Sequence, residues 1–291
     1  MPFPYLDETK ELNEAARREI GGSFIALPDG VTHYELSGPE KGIPVILVHG
    51  FSVPYFIYDP TFEFLVGAGF RVLRYDLIGR GYSDKPSARY DIRLFIKQLK
   101  DLLDALEMTR VDLVGLSMGG PITAAFIEQY PHYVRSHVLI DPSGTKRVEL
   151  SRLLEIAKLP FVGELFVGLF GSDSMLKGIA SDVFDLNLVE TFLAKYKLQM
   201  QYKGFKRAVL STMRNRMLES FLDTYLKVGM MKKPTLIFWG ESDRTTPFED
   251  HKLLLQALPH AEFHPIENCS HMPHYEKTEI VNPILLEFLS R

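Results

Sequence analysis

Short apolar runs that recur between helical patterns constrain the fold of this chain more than any other feature. Five of them cover residues 44–48, 70–75, 111–114, 138–140 and 235–239, and a weaker sixth covers residues 261–266. Most are closed by a glycine or an aspartate, which is typical of buried parallel strands. The alternation of such strands with helices predicts an α/β fold, with a mostly parallel sheet and helices on both faces.

An antiparallel hairpin is expected ahead of these strands. Residues 24–27 and 31–36 flank the turn sequence Pro28-Asp29-Gly30, and a strand, a turn and a strand in this order predict a hairpin. A mostly parallel sheet commonly carries such an antiparallel edge. The first 20 residues are polar and helix-prone, so they are expected to lie on the surface.

The segment from residue 144 to residue 231 interrupts the alternation, because it contains no convincing strand pattern. It is rich in leucine, phenylalanine and methionine and separates two core strands. It is therefore predicted to be a helical lid over the carboxyl edge of the sheet, inserted in a core domain of residues 1–143 and 232–291. Its six methionines either fill gaps in helix packing or form a deformable apolar wall for a substrate; they lie at positions 175, 200, 213, 217, 230 and 231.

Charge and cysteine content narrow the class of function. The formal net charge is -4 without a long run of either sign, whereas nucleic acid or an anionic membrane would require clustered basic residues. The single cysteine, Cys269, excludes an intramolecular disulfide bond and a thiol-rich metal site. The first residues lack a signal-peptide pattern, and the most apolar stretch, residues 159–170, is too short to cross a bilayer. We expect a cytoplasmic protein that acts on a small molecule, and the sequence indicates no oligomeric state.

The sequence Gly115-Leu116-Ser117-Met118-Gly119 follows one apolar run and precedes a helical pattern. This is G-x-S-x-G in the strand–turn–helix setting of a nucleophile elbow. The turn is so sharp that side chains two residues before and two after the serine would collide, so glycine is needed at both places. The turn also puts the serine at the start of a helix, whose amides favour a developing anion. Ser117 is the candidate nucleophile, and the competing interpretation is a glycine-rich turn with a surface serine.

Two backbone amides are candidates for an oxyanion hole, which must meet the negative charge that develops on oxygen during carbonyl attack. The amide of Met118 directly follows the nucleophile, and the amide of Phe51 lies in the loop after the run at 44–48. His49 in the same loop is interpreted as a residue that braces the loop rather than as a base.

His271 is the first candidate for the base that a serine hydroxyl needs, because it lies in a loop between the last strand pattern and the C-terminal helix. His274 is the second candidate. Asp243 follows the run at 235–239 and is the candidate that fixes the tautomer of the imidazole. Asp141, after the preceding strand, competes with it, and Glu241 is a third choice. The order serine, aspartate, histidine along the chain is the order expected for such a fold.

Five sequence blocks resemble lid-bearing α/β-hydrolases of the esterase and lipase type, from about residue 22 to the end of the chain. They are HGF at 49–51, DLIGRGYSDKP at 76–86, GLSMGG at 115–120, GESDRTTP at 240–247 and HMPHYE at 271–276. The resemblance implies hydrolysis through a covalent acyl-enzyme, without a cofactor or a metal. Related dehalogenases and epoxide hydrolases carry an aspartate at the elbow, where this chain has Ser117.

Three functions are compatible with these residues. The first expectation is a carboxylic-ester hydrolase for a small to medium, largely apolar substrate, because the predicted lid is apolar. The second is a carbon–carbon bond hydrolase of the meta-cleavage-product type. Such enzymes usually have a glycine-richer loop after the His-Gly pair, asparagine before the serine and tryptophan after the histidine, where this chain has Phe51-Ser52-Val53, Leu116 and Met272. The third is a non-catalytic ligand receptor on the same fold; such proteins often lose members of the triad.

Overall fold

A computed structural model describes residues 5–149, 152–183 and 186–291 of the chain. Its centre is an eight-stranded sheet with the spatial order β1-β2-β4-β3-β5-β6-β7-β8. The strands are β1 Ser23–Leu27, β2 Gly30–Ser37, β3 Pro44–Val48, β4 Arg71–Tyr75, β5 Val111–Leu116, β6 Val134–Ile140, β7 Thr235–Gly240 and β8 Glu262–Ile266. Strands β3 to β8 are parallel, and β1 and β2 form the antiparallel edge. The predicted sheet and its leading hairpin are therefore confirmed.

Twelve α-helices accompany the strands in the described parts of the chain. They are α1 Glu14–Glu19, α2 Asp59–Gly67, α3 Ile92–Ala105, α4 Gly119–Gln129, α5 Arg152–Ala157, α6 Val162–Ser181, α7 Leu186–Met200, α8 Phe205–Arg214, α9 Leu222–Met230, α10 His251–Ala257, α11 Pro273–Glu276 and α12 Thr278–Leu289. None of these described helices has the length and apolarity that a bilayer crossing requires.

The sheet has a hydrophobic core on each face, because successive side chains of a strand point to opposite sides. On β3, Ile46 and Val48 belong to one core together with side chains of α3 and α4. Val45 and Leu47 belong to the other core, with side chains of α2 and α12. Both faces of the inner parallel strands β3 to β7 are covered, which explains why most of their residues form apolar runs, whereas the edge strand β8 is partly exposed.

Strand β6 is longer than its apolar run indicates. The sequence pattern at 138–140 predicts only its last residues, whereas the strand begins at Val134. The added part contains polar residues that the structure buries with partners. Ser136 donates a hydrogen bond to Asp112 at 2.6 Å, and Arg135 pairs with the same carboxylate. A hydropathy pattern does not detect strand residues that are polar, because it contains no information about the hydrogen-bond partners that a neighbouring strand supplies to them.

Helices α5 to α9 lie between β6 and β7, and the described part of segment 144–231 contains no strand. We call this segment the helical insertion. Its last helix, α9, packs on α4 against the sheet, and Tyr225 and Val228 of α9 belong to the core on that face. The division into a core domain and a lid at residues 144 and 231 remains a prediction.

The N-terminal segment is less superficial than expected. Helix α1 has no buried residue, but Tyr5 and Glu8 ahead of it are buried. The carboxylate of Glu8 accepts hydrogen bonds from the amides of Gly204 and Lys206, both at 2.6 Å, at the start of α8. The segment before α1 is therefore attached to the helical insertion, with which it has no local sequence relationship.

Candidate active site

The turn after β5 has the geometry of a nucleophile elbow. Ser117 has a left-handed backbone conformation with φ 52°, between the end of β5 at Leu116 and the start of α4 at Gly119. A Cβ atom at Gly119 would lie 2.2 Å from the carbonyl oxygen of Val48, and one at Gly115 would lie 2.6 Å from the carbonyl oxygen of Gly119. Both glycines are therefore required by close backbone contacts, as the sequence pattern predicts. A left-handed conformation is strained for a serine, so the surrounding structure must hold the residue in it.

His271 and Asp243 form a buried hydrogen-bonded pair. Nδ1 of His271 lies 2.7 Å from Oδ2 of Asp243. Burial opposes protonation of the imidazole, but the Asp243 carboxylate outweighs it and raises the pKa of His271 above its ordinary value. The pair lies at the carboxyl edge of the sheet, because Asp243 follows β7 and His271 follows β8. The structure thus brings together the two side chains that the sequence assigned to base and acid.

Two threonines, which the sequence analysis missed, hold Asp243 in its ionised form. The amides of Thr245 and Thr246 donate to Oδ1 at 2.8 and 3.0 Å, and the hydroxyl of Thr246 donates to Oδ2 at 2.6 Å. Burial alone would raise the pKa of Asp243, but the imidazole of His271 and the two hydrogen bonds from Thr246 lower it. Both threonines lie in the block GESDRTTP, so the signal was present in the sequence without an assigned role.

The competing acids have other surroundings. Asp141 is fully buried after β6, and its Oδ1 accepts a hydrogen bond from the amide of Gly240 at 2.8 Å. Burial and the neighbouring Asp243 charge raise the pKa of Asp141 well above its ordinary value, which favours the neutral acid. Glu241 is exposed to solvent. Asp243 is therefore the carboxylate that contacts the imidazole.

The competing histidines are also placed away from this role. His274 is fully buried against Tyr58, with ring centroids 4.8 Å apart, and burial lowers its pKa to about 3. Nε2 of His49 accepts a hydrogen bond from the amide of Leu77 at 2.9 Å, and Nδ1 lies 3.0 Å from the carbonyl oxygen of Gly50. His49 thus braces the loop that carries Phe51, as the sequence indicated.

An apolar pocket of about 260 Å³ opens over Ser117. None of its described lining residues carries a charge or an imidazole; they are Phe51, Ser117, Met118, Ser143, Val148, Phe166, Val167, Gly171, Ser174, Met175, Val209, Met213, Leu218, Thr245 and Thr246. Helices α6 and α8 of the helical insertion supply much of the wall. The pocket is suited to an uncharged, largely apolar part of a ligand.

The methionines of the insertion divide between the two roles considered from the sequence. Met175 and Met213 line the pocket. Met200 and Met217 are buried in the two cores as packing residues. Met230 and its neighbour at position 231 have exposed side chains, so neither role applies to them.

Free donors face the same region of the pocket. The amides of Phe51 and Met118 donate no hydrogen bond within the parts of the chain that the structure describes, and both residues line the pocket beside Ser117. The imidazole of His271 contacts Asp243 and Thr246 through Nδ1, and no hydrogen bond joins it to the Ser117 hydroxyl in the described part of the chain. Hydroxyl–imidazole contacts in ligand-free active sites are commonly long and tighten when the substrate binds.

The site also contains a cluster with metal-like spacing. Ligand atoms of Asp141, Asp243 and His271 lie within 4.8 Å of one another. The imidazole and Asp243 are hydrogen-bonded to each other, and the surroundings of Asp141 favour its neutral form. These side chains are arranged to share a proton between His271 and Asp243 rather than to bind a metal ion.

The fold and this site define the class of the protein. A profile of the α/β-hydrolase fold family matches residues 43–278, and the chain belongs to this family. It is 29% identical to a 2-hydroxy-6-oxononadienedioate/2-hydroxy-6-oxononatrienedioate hydrolase of Cupriavidus pinatubonensis, over 96% of this chain and 99% of the relative. It is 28% identical to a 2-hydroxy-6-oxo-2,4-heptadienoate hydrolase of Pseudomonas putida, over 94% of this chain and 97% of the relative.

Solved structures show the same fold. A meta-cleavage product hydrolase of Pseudomonas fluorescens superposes with a TM-score of 0.76 and 23% identity, and the match covers 92% of this chain and 97% of that chain. The relatives support a hydrolase that acts on a small molecule.

Proposed function

We propose that this protein is a serine hydrolase in which Ser117 is the nucleophile, His271 the base and Asp243 the residue that orients the base. The observation that carries the proposal is the strained elbow at Ser117, with φ 52°, at the same edge of the sheet as the His271–Asp243 hydrogen bond of 2.7 Å. A serine hydroxyl is a weak nucleophile until a neighbouring base takes its proton, and the carboxylate stabilises the imidazolium that forms.

The reaction follows from these positions. Oγ of Ser117 bonds to the substrate carbonyl carbon while His271 accepts the hydroxyl proton. The amides of Phe51 and Met118 bind the negative oxygen of the tetrahedral intermediate. The leaving group takes the proton from His271 as its bond to the carbonyl carbon breaks, and an acyl-enzyme remains. Water, deprotonated by His271, then releases the acid and restores the serine.

The bond that breaks is the finer question, and the named relatives favour carbon–carbon cleavage over ester cleavage. They are hydrolases of 2-hydroxy-6-oxo-dienoates. In such a substrate Ser117 would attack the ketone, and the leaving group would be a stabilised carbanion that His271 protonates. On the strength of the relatives, we take carbon–carbon hydrolysis of a vinylogous diketone as the first candidate reaction.

A specific observation keeps carboxylic-ester hydrolysis as the second candidate. The relatives' substrates are carboxylates by name, whereas the described lining of this pocket carries no cationic side chain. An uncharged ester would bury only apolar groups against Phe51, Met175 and Met213. The steps at Ser117 are the same, except that an alcohol leaves instead of a carbanion. In both cases the helical insertion would serve as the lid that closes the apolar part of the substrate away from water.

Two experiments test the proposal. A fluorophosphonate probe should label the native protein at Ser117, and Ser117→Ala should remove the label while the circular dichroism spectrum stays unchanged. A folded protein that never reacts with the probe would instead support a non-catalytic receptor. A substrate panel of 2-hydroxy-6-oxo-dienoates and p-nitrophenyl esters then separates the two reactions: the larger kcat/KM identifies the bond that the enzyme cleaves.

A further inference from the structure

Arg80 is a fully buried arginine whose hydrogen-bond partners are all neutral. It lies in the loop between β4 and α3, and its guanidinium is shielded from solvent. Nε donates to the carbonyl oxygen of Phe51 at 2.5 Å, and one terminal nitrogen donates to the hydroxyl of Thr212 at 2.9 Å. The other terminal nitrogen lies 3.4 Å from the carbonyl oxygen of Gly79. Carbonyl and hydroxyl oxygens thus solvate the cation.

No carboxylate of the described residues lies within ion-pair distance of the Arg80 guanidinium, whose hydrogen bonds all go to neutral oxygens. The buried acid of the same loop, Asp76, is engaged by His33 at 2.9 Å and by two backbone amides. Burial lowers the pKa of Arg80 to about 10, so the guanidinium remains protonated at neutral pH. An unpaired buried cation is costly, and such groups concentrate at functional sites.

Arg80 lies directly behind the loop that faces the substrate. Its hydrogen bond fixes the carbonyl of Phe51, the residue whose amide is one of the two proposed oxyanion donors. The ring of Phe51, whose centroid lies 5.6 Å from the guanidinium carbon, separates the cation from the pocket. The positive charge therefore lies close to the place where negative charge develops, and it is excluded from water, which would otherwise screen it.

We propose that Arg80 is a positioning residue for the oxyanion hole: it holds the backbone of Phe51 through the carbonyl group that follows the donor amide, and its unpaired charge favours the anionic intermediate over the bound substrate. This inference rests on the function proposed above. A substrate in its ground state carries no charge at that oxygen, so Arg80 should affect kcat and leave KM nearly unchanged.

The contact with Thr212 supplies a matched control. Thr212 lies on α8 of the helical insertion and does not line the pocket. Thr212→Val removes one hydrogen bond of Arg80 but keeps its charge and its bond to Phe51. This variant should retain kcat and KM close to those of the unmodified protein.

The test compares Arg80→Gln, Arg80→Lys and Thr212→Val with the unmodified protein. The readouts are kcat and KM on the substrate chosen by the panel, and inhibition by an alkyl trifluoromethyl ketone, which forms an anionic adduct with a reactive serine. Removing a direct oxyanion donor costs about 10²- to 10³-fold, so for the indirect Arg80→Gln we expect a loss in kcat of about 10- to 100-fold. Affinity for the ketone should fall by a similar factor. Arg80→Lys keeps the positive charge but lacks the planar set of guanidinium donors. Its kcat and its affinity for the ketone should lie between those of Arg80→Gln and those of the unmodified protein.

A folded Arg80→Gln protein with unchanged kcat and ketone affinity would overturn the inference, and so would a loss confined to KM. Folding is checked by circular dichroism and thermal melting. If Arg80→Gln does not fold, Arg80→Lys decides by the same criterion, the parallel fall of kcat and ketone affinity at constant KM. Failure of the ketone to inhibit the unmodified protein would contradict the proposed function itself, which separates the two results.

Discussion

The backbone amide of His271 donates a hydrogen bond to the carbonyl oxygen of Asp182, 3.2 Å away. Asp182 is the residue at the C-terminal end of α6, and its carboxylate accepts a hydrogen bond from the hydroxyl of Thr245. The loops that carry the proposed base and acid are thereby joined to a helix whose side chains line the pocket. A displacement of α6 would therefore change the positions of both the pocket lining and the His271 imidazole.

The pH dependence of the reaction should report His271. The base must be neutral to accept a proton, and the Asp243 carboxylate raises the pKa of His271 above the ordinary value of 6.5. We therefore expect kcat/KM to fall as the pH falls through this raised pKa, with half-maximal activity above pH 6.5. A profile of kcat/KM from about pH 5 to about pH 10 measures it. A rate that is independent of pH between about 5 and 8 would contradict the assignment of the base.

Substitution of the two neighbouring acids should give unequal results. Asp243→Asn removes the acceptor that fixes the imidazole and should lower kcat by about 10⁴-fold, the loss known for a triad of this kind. Asp141→Asn should retain most activity, because asparagine offers the amide of Gly240 the same acceptor and is neutral like the favoured form of Asp141. Equal losses in the two variants, at unchanged folding, would contradict the different roles.

The chain-length preference should depend on the pocket methionines. Met213→Ala widens the apolar wall, so kcat/KM for a long acyl or alkyl group should rise relative to a short one by about tenfold, the size expected for a few methylene groups. Met230→Ala is the matched control, since this side chain is 73% exposed and lies outside the lining of the pocket. A series of p-nitrophenyl esters, or of dienoates with different side chains, measures the ratio. A ratio that changes equally in both variants would refute this role of Met213.

The N-terminal segment should stabilise the helical insertion through Glu8. Glu8→Ala removes the acceptor of two amides at the start of α8 and should lower the free energy of unfolding by about 1–2 kcal/mol, as for the loss of a helix cap. Glu11→Ala removes only an exposed ion pair with Lys203 and should leave the free energy of unfolding nearly unchanged. Urea denaturation followed by circular dichroism measures both. Indistinguishable midpoints for the two variants would speak against the capping role.

The local patterns of the sequence were sufficient for the sheet and for the elbow. Buried parallel strands must be apolar on both faces, so they appear as runs that hydropathy alone detects. The turn at Ser117 admits only glycine at positions 115 and 119, because backbone atoms approach to 2.6 and 2.2 Å there. The carboxyl ends of parallel strands lie at one edge of a sheet. The base and the acid follow such strands in the sequence, so their location at this edge was also predictable.

Other features depend on contacts between residues that are far apart in the chain. Asp141 and Asp243 both follow strands, and only the packing around each decides that one accepts from an amide and the other contacts His271. The hydrogen bonds between Glu8 and α8, and between Arg80 and Thr212, each join segments that are more than a hundred residues apart in the chain.

The sequence by itself therefore determined the fold class, the elbow and the residues of the proposed triad, because each of these is encoded within a few neighbouring positions. The tertiary structure alone decided which carboxylate is ionised, which methionines line the pocket, and where a buried cation lies without a counter-ion among the described residues. These properties are set by burial and by distance in space, and neither quantity can be read from the order of residues along a chain.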